Sequence, residues 1–338
     1  MKLLMKQQLL NRYLLHGLLG AWLATTLAFP AQASLTMFNL NANEGSFPSY
    51  LTPFKDKLYF TANDGSNGTE LWVSDNTTAS ITMLKDIRLG DLSSFPFHLT
   101  AFNDRLYFQA NDGNHSEELW VSDGTAAGTT ILVDIMPSEN ESSSPSHLAA
   151  FNNKLYFAAN DDTHGTELWV SDGTAAGTTL LSDLNPIGDG YPSKFTVVNE
   201  TLYFSASDGR NGYELWVSDG TAAGTTMLKD VNSGVGSGSP SQLTAFNGML
   251  YFSAFDKSNG RELWGSDGTT AGTMMLNDIN SAEASSRPEY LTVVSDTLYF
   301  RASDGINGYE LWALGALQPN QAPVPVPAAT EVIAQTTH

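Results

Sequence analysis

The chain contains no cysteine. That excludes a disulfide framework, thiolate metal sites and a thiol nucleophile, so packing and hydrogen bonds alone must hold the fold. Basic residues are scarce: 16 lysines and arginines face 36 acids, for a formal net charge of −20. Such a chain repels phosphate, so nucleic acid is not an expected partner, and anionic lipid is disfavoured for the same reason. Beyond residue 29 no apolar run is long enough to span a bilayer. No segment has the length and 3.6-residue period of a covering helix. Catalytic signatures are missing as well: there is no G-x-S-x-G elbow, no H-E-x-x-H and no phosphate-binding loop. Gly234, Gly236 and Gly238 have the look of a glycine fingerprint, but no helix pattern follows them.

What is present begins with an export signal. Lys2, Lys6 and Arg12 give a basic start, Leu14 to Phe29 is apolar, and Ala31-Gln32-Ala33 is a small-x-small cleavage pattern. Residues 1–33 therefore read as a signal peptide, and the protein is expected in the periplasm, at the cell surface or outside the cell. Cleavage removes three positive charges and no negative one, moving the formal charge from −20 to −23. No integral membrane segment is expected after it. At the other end Pro319, Gln321, Pro323, Pro325 and Pro327 mark residues 316–338 as a Pro-rich, disordered tail. Residues 34–315 remain as one folded unit.

That unit is a repeat. Glu-Leu-Trp recurs at Glu70, Glu118, Glu167, Glu214, Glu262 and Glu310, with spacings of 48, 49, 47, 48 and 48. Each copy runs from a proline through a short apolar run, a two-residue turn, Leu-Tyr-Phe, an Asp-led loop, Glu-Leu-Trp and Ser-Asp-Gly-Thr to a last apolar run. In the fifth copy the four β-like runs are Leu243–Phe246, Leu250–Ala254, Glu262–Ser266 and Met274–Ile279. Asn247-Gly248 joins the first two, turn chemistry that takes positive φ at both positions. Runs such as Leu-Tyr-Phe are apolar on both faces and need cover on both sides. With no helix to supply it, neighbouring sheets must. A four-stranded repeat of this length predicts an all-β, six-bladed β-propeller.

The ends argue for closure of the ring. The sixth repeat stops after its third strand, while Leu35-Thr36-Met37-Phe38-Asn39-Leu40 resembles a fourth strand such as Thr226–Val231. The N-terminal strand is expected to complete the last blade.

These copies resemble the bacterial ELWxxDGT repeat family, often labelled hyalin-like, over residues 35–314. The best copies are Glu118–Thr129, Glu167–Thr178 and Glu214–Thr225. The resemblance implies an exported, propeller-type repeat protein and assigns no activity. The first copy has Asp75-Asn76-Thr77 in place of DGT, the second has Ser116 at the loop glycine, the fifth has Gly265 after its Trp, and the sixth lacks DGT.

Within so regular a frame, constancy reads as architecture. Six of seven tryptophans recur in register and are expected to pack between blades. Twenty-two of the 36 acids also recur in register, so most of the negative charge reads as framework. The loop from Asp64 to Glu70 invites a calcium reading, but its third position is Ser66, Asn114, Thr163, Arg210, Ser258 and Ile306 across the copies, and Arg or Ile is no ligand.

Variation is more informative. Two residues after the proline the copies carry Tyr50, His98, His147, Lys194, Gln242 and Tyr290. In a closed propeller these ring one mouth of the central channel, as candidate ligand-binding residues. Arg301 breaks the pattern of the second strand and is added to them. The expected function is an exported, non-enzymatic binding or scaffold protein for a protein, peptide or glycan, acting as a monomer. The alternatives are a propeller hydrolase or lyase using His98 and His147 at the channel mouth, and a calcium-stabilised adhesion module.

Overall fold

The computed structural model describes residues 36–75, 80–137, 141–281 and 284–315. The signal peptide and the proline-rich tail lie outside them. The chain divides into two compact units, Met1–Phe38 and Asn39–His338. The described part of the first, residues 36–38, carries no strand or helix. The fold lies in the second. Among the described residues it is all-β and propeller-like: 23 strands in six antiparallel sheets, five of four strands and one of three. No helix among them is long and apolar enough to cross a membrane.

In the first sheet the strands are Ser49–Phe54, Lys57–Asn63, Thr69–Ser74 and Ile81–Lys85, paired in chain order. The next four sheets repeat this meander. Hairpin turns behave as their sequence predicts: Asn103 and Asp104 have φ of 45° and 57°, and Asn247 and Gly248 have 49° and 73°. In the fourth and sixth sheets only Asn199 and Ser295 of the turn pair are positive.

The core lies between sheets. Phe54, Tyr59, Leu71 and Ile87 from the first repeat meet Leu106, Phe108, Ala110 and Trp120 of the second. Equivalent clusters join the second to the third, third to fourth and fourth to fifth sheets. Five of the repeat tryptophans are buried in these clusters or against the first sheet, which fits the packing role expected for them. Fully burying one such side chain stabilises by about 1.5–3 kcal/mol.

Two polar devices explain the rest of the repeat signature. The ELW glutamate is a staple to the next sheet. Glu70 is fully buried; its Oε2 accepts the Ile87 N–H at 2.9 Å and the Ser94 hydroxyl at 2.6 Å, and its Oε1 accepts the Ser94 N–H at 2.8 Å. Glu118, Glu167, Glu214 and Glu262 accept the corresponding two backbone N–H groups, and Glu118 and Glu262 also accept a serine hydroxyl; Gly190 and Gly238 replace that serine for Glu167 and Glu214. The DGT turn is a joint. Asp123 Oδ1 accepts the N–H and hydroxyl of Thr125 at 2.8 and 2.7 Å. Gly124 has φ +96°, and a Cβ there would stand 2.6 Å from the Tyr59 hydroxyl of the preceding sheet. Glycine supplies both the conformation and the room.

The sixth sheet has three strands, Glu289–Val294, Thr297–Ser303 and Tyr309–Gly315. Residues 36–40 form no strand. Leu40 instead packs with Phe60, Ala62 and Trp72 of the first sheet.

Candidate functional site

The six variable positions share one backbone feature. Tyr50, His98, His147, Lys194, Gln242 and Tyr290 all have φ between 52° and 61°. Each occupies a β-bulge in the innermost strand of its sheet: Ser49 pairs with Thr61 but Thr52 with Tyr59, and every sheet repeats this shift. Left-handed backbone on a residue other than glycine is costly, and a bulge re-aims the side chain it carries. Since all six sheets share the feature, it belongs to the frame. The side chains presented by it differ.

Those side chains form a continuous arc. The rings of Tyr50 and His98 lie 5.9 Å apart, as do those of His98 and His147. His147 and Lys194 line the same cavity, of about 370 Å³. Lys194 Nζ donates to the Pro240 carbonyl at 3.1 Å. Gln242 Oε1 accepts the Tyr290 N–H at 3.1 Å, and the Arg301 guanidinium lies over the Tyr290 ring at 5.1 Å. Arg301 also pairs with Glu289 and lies 4.5 Å from the Tyr309 ring centre. The seven residues singled out by the sequence thus follow one another along the arc, from Tyr50 in the first sheet to Tyr290 and Arg301 in the sixth.

A second arc escaped the sequence reading. The residue before each proline, Phe47, Phe95, Ser144, Tyr191, Ser239 and Arg287, also has positive φ, between 45° and 50°. Tyr191 and Ser239 line the cavity beside Lys194. Phe95 stacks toward Phe97, with centroids 5.8 Å apart, and Phe97 toward Tyr50 at 5.2 Å. The signal was present as a varying pre-proline position. Arg261 gave no such signal, because it stands at the start of a third strand. Its Nη1 donates to the carbonyls of Ser239 at 3.0 Å and Ser253 at 3.3 Å.

Burial, then the charge of His147, holds the His98 imidazole below its ordinary pKa. Burial, then Lys194, does the same to His147. Both rings are thus biased toward the neutral form. Among the described residues no three His, Asp or Glu side chains are grouped to hold a metal. In the Asp-led loops, Asp64 Oδ1 accepts the N–H groups of Ser66 and Asn67, each at 2.8 Å, and its Oδ2 accepts the Asn67 amide at 2.7 Å. Burial opposes ionisation there, but these bonds outweigh it and hold Asp64 below its ordinary value. His115 and His164 close the equivalent turns on Asp112 and Asp161, at 3.0 and 2.7 Å.

No family model matches the chain, and no curated protein matches it either. Among solved structures it is similar to puromycin hydrolase, at 13% identity over 75% of this chain and 42% of that one, with a TM-score of 0.43. A mutant of that enzyme complexed with PGG gives 12% identity over the same shares, with a TM-score of 0.44. A prolyl endopeptidase structure gives 11% identity over 80% of this chain and 50% of that one, with a TM-score of 0.36. The chain thus spans half or less of the length of the proteins it matches. At these scores the likeness says nothing of activity.

Proposed function

We propose that this is an exported, non-enzymatic binding scaffold whose ligand, a protein, peptide or glycan, sits on the arc from Tyr50 to Tyr290. One observation carries the reading: six equivalent bulges, built by a recurring frame, present polar, aromatic or ionisable side chains of four kinds (Tyr, His, Lys and Gln) in one arc. A recurring frame that holds differing side chains at equivalent bulges suits a recognition surface.

The same proposal includes a closed six-bladed ring. Leu40 packs on the first sheet as Ile87 packs on the second. The Ser46 carbonyl accepts the Asn63 N–H at 2.9 Å, as the Ser94 carbonyl accepts that of Asn111 at 2.9 Å. The segment Leu40–Ser46 thus lies against the first sheet as a preceding blade's connection does. Glu310 and Leu311 of the sixth sheet, exposed here, are the side chains that such a connection covers in every other repeat.

Binding of the full-length protein to glycan and peptide arrays tests the reading, with a Tyr50→Ala, His98→Ala variant alongside. A ligand class bound by the wild type and lost in the variant is the expected result. No binding, or binding indifferent to both changes, defeats the proposal. Turnover of a bound ligand that disappears in His98→Ala, His147→Ala would favour a hydrolase or lyase instead.

A further inference from the structure

The arc divides by chemistry along its length. Tyr50, Phe95 and Phe97 form an aromatic end. From the fourth sheet onward it is cationic. Lys194 reaches the Pro240 carbonyl, Arg261 reaches the Ser239 carbonyl one residue away, and the Arg287 N–H donates to the Arg261 carbonyl at 3.1 Å. The Lys194 and Arg261 side chains thus converge on neighbouring carbonyls, and Arg287, whose main chain is tied to that of Arg261, stands close enough for its charge to act on Arg261. Burial, then the charge of Arg261, lowers the pKa of Lys194; burial, then the charge of Arg287, lowers that of Arg261.

This gathering stands against the composition. In a chain of net charge −20 carboxylates are plentiful, yet among the described residues none forms an ion pair with Lys194, Arg261 or Arg287. Like charges held together without a counter-charge repel one another. An anion seated among them removes that cost. Space for one is at hand. The cavity of about 370 Å³ beside Lys194 is walled by Tyr191 and Tyr213 and edged by Ser193 and Ser239. A second, of about 390 Å³, lies beside Arg261 with Gln242, Tyr290 and Glu289, whose carboxylate is taken by Arg301. Both fall in the usual size range of small-ligand sites, ~300–1,000 Å³.

We infer that the arc binds an acidic oligosaccharide, with carboxylates distributed along Lys194, Arg261 and Arg287 and sugar rings against Tyr191 and Tyr290. The inference rests on the binding reading above and specifies its ligand. Flat aromatic faces beside serine hydroxyls suit sugar rings, which are apolar on their faces and hydroxylated at their edges. An acidic peptide is the poorer fit. Peptides commonly dock by adding a strand to an open edge, and here a bulge interrupts each innermost strand where the arc side chains stand.

Titration calorimetry of the full-length protein with tetragalacturonate, neutral cellotetraose and poly-L-glutamate tests this. Tetragalacturonate is expected to saturate a site, with affinity falling as salt rises. A Lys194→Gln, Arg287→Gln variant should bind it at least tenfold more weakly while melting with the wild type. Arg287→Gln alone, at an exposed side chain, should weaken it less and serves if the double variant melts early. No binding of tetragalacturonate, or binding unchanged in both variants, overturns the inference. Poly-L-glutamate bound in its place, and lost in the variants, overturns the sugar and points to an acidic peptide. Cellotetraose bound as well as tetragalacturonate, and lost only in Tyr50→Ala, His98→Ala, overturns the acidic specificity and leaves the binding scaffold standing. The scaffold reading itself fails only on the arrays.

Discussion

Five sheet-to-sheet junctions, and the seam that the proposed ring would place between the last and first sheets, draw on one repeat but not to one standard. At the third junction Leu168 and Trp216 are buried and Glu167 receives the N–H groups of Leu184 and Gly190, each at 2.7 Å. At the seam the corresponding Leu311 is 75% exposed, and Glu310 is exposed too. The seam also lacks the glycine that admits a tyrosine hydroxyl: Asn76 stands in the first repeat where Gly124 stands in the second. Where the frame is continuous in sequence, each blade brings its own connection to the next. At the seam the connection must come from the other end of the chain. In the proposed ring, a seam held without covalent continuity would be the place of lowest local stability.

The comparison can be broken by paired substitutions. Leu168→Ala should cost about 2–5 kcal/mol by removing a fully buried side chain, whereas Leu311→Ala should stay within about 0.5 kcal/mol if the seam is open. Denaturant unfolding of both measures the gap, and equal losses would show that the ring closes in solution. Next in size is the staple. Glu167→Ala leaves the buried Leu184 N–H unmet, while the Gly190 N–H keeps the Thr166 carbonyl at 3.1 Å, and should cost about 1–3 kcal/mol. Glu310→Ala should be nearly silent with an open seam and costly with a closed one, read by thermal melting.

The joint gives a smaller effect. Gly173 has φ +93°, and an added Cβ would meet the Tyr107 hydroxyl at 2.6 Å. Gly173→Ala should therefore destabilise by about 1 kcal/mol or more, and adding Tyr107→Phe should recover part of that loss in the same melting assay. Asn76→Gly is the reverse experiment: a rise in melting temperature would mean the seam uses this joint.

Acidity gives the finest test. Burial, against its backbone hydrogen bonds, pushes Glu167 up to about 7 from 4.5. A raised folded pKa means the folded state holds the proton more tightly. Its contribution is complete below 4.5 and is lost as pH climbs through about 7. Glu70 and Glu214 are pushed to about 7 in the same way. A Glu167→Gln variant never carries the buried charge. Its stability deficit against the wild type should therefore shrink between pH 5 and pH 8, by on the order of 1 kcal/mol. Urea titrations at the two pH values read this, and a deficit independent of pH would mean the carboxyl is not held above its ordinary value.

Much of this molecule was legible in residues alone. The strands of the fifth repeat fall within a residue or two of the runs read from sequence, because alternation and turn chemistry are local properties. The framework acids were legible for a related reason: a side chain that bonds its own turn or the next connection recurs with the repeat. The arc was half legible. Tyr50, His98, His147, Lys194, Gln242 and Tyr290 stood out because they vary against a constant frame. Their left-handed backbone did not, since four of the six, the two Tyr, the Lys and the Gln, are residue types that give no warning of positive φ. Arg261 was invisible, because its closeness to Lys194 depends on how two sheets lean together across more than sixty residues of chain.

The sequence by itself determined the repeat, its register, its strands and turns, and which acids belong to the frame. These follow from hydrogen bonding and burial within one repeat, which neighbouring residues control. The tertiary structure decided which variable side chains meet, that Lys194 and Arg261 converge without carboxylate partners, and that the last sheet has three strands. Those facts depend on the angle and spacing between sheets, set by the summed packing of Tyr, Leu, Phe and Trp at each junction rather than by any one stretch of chain.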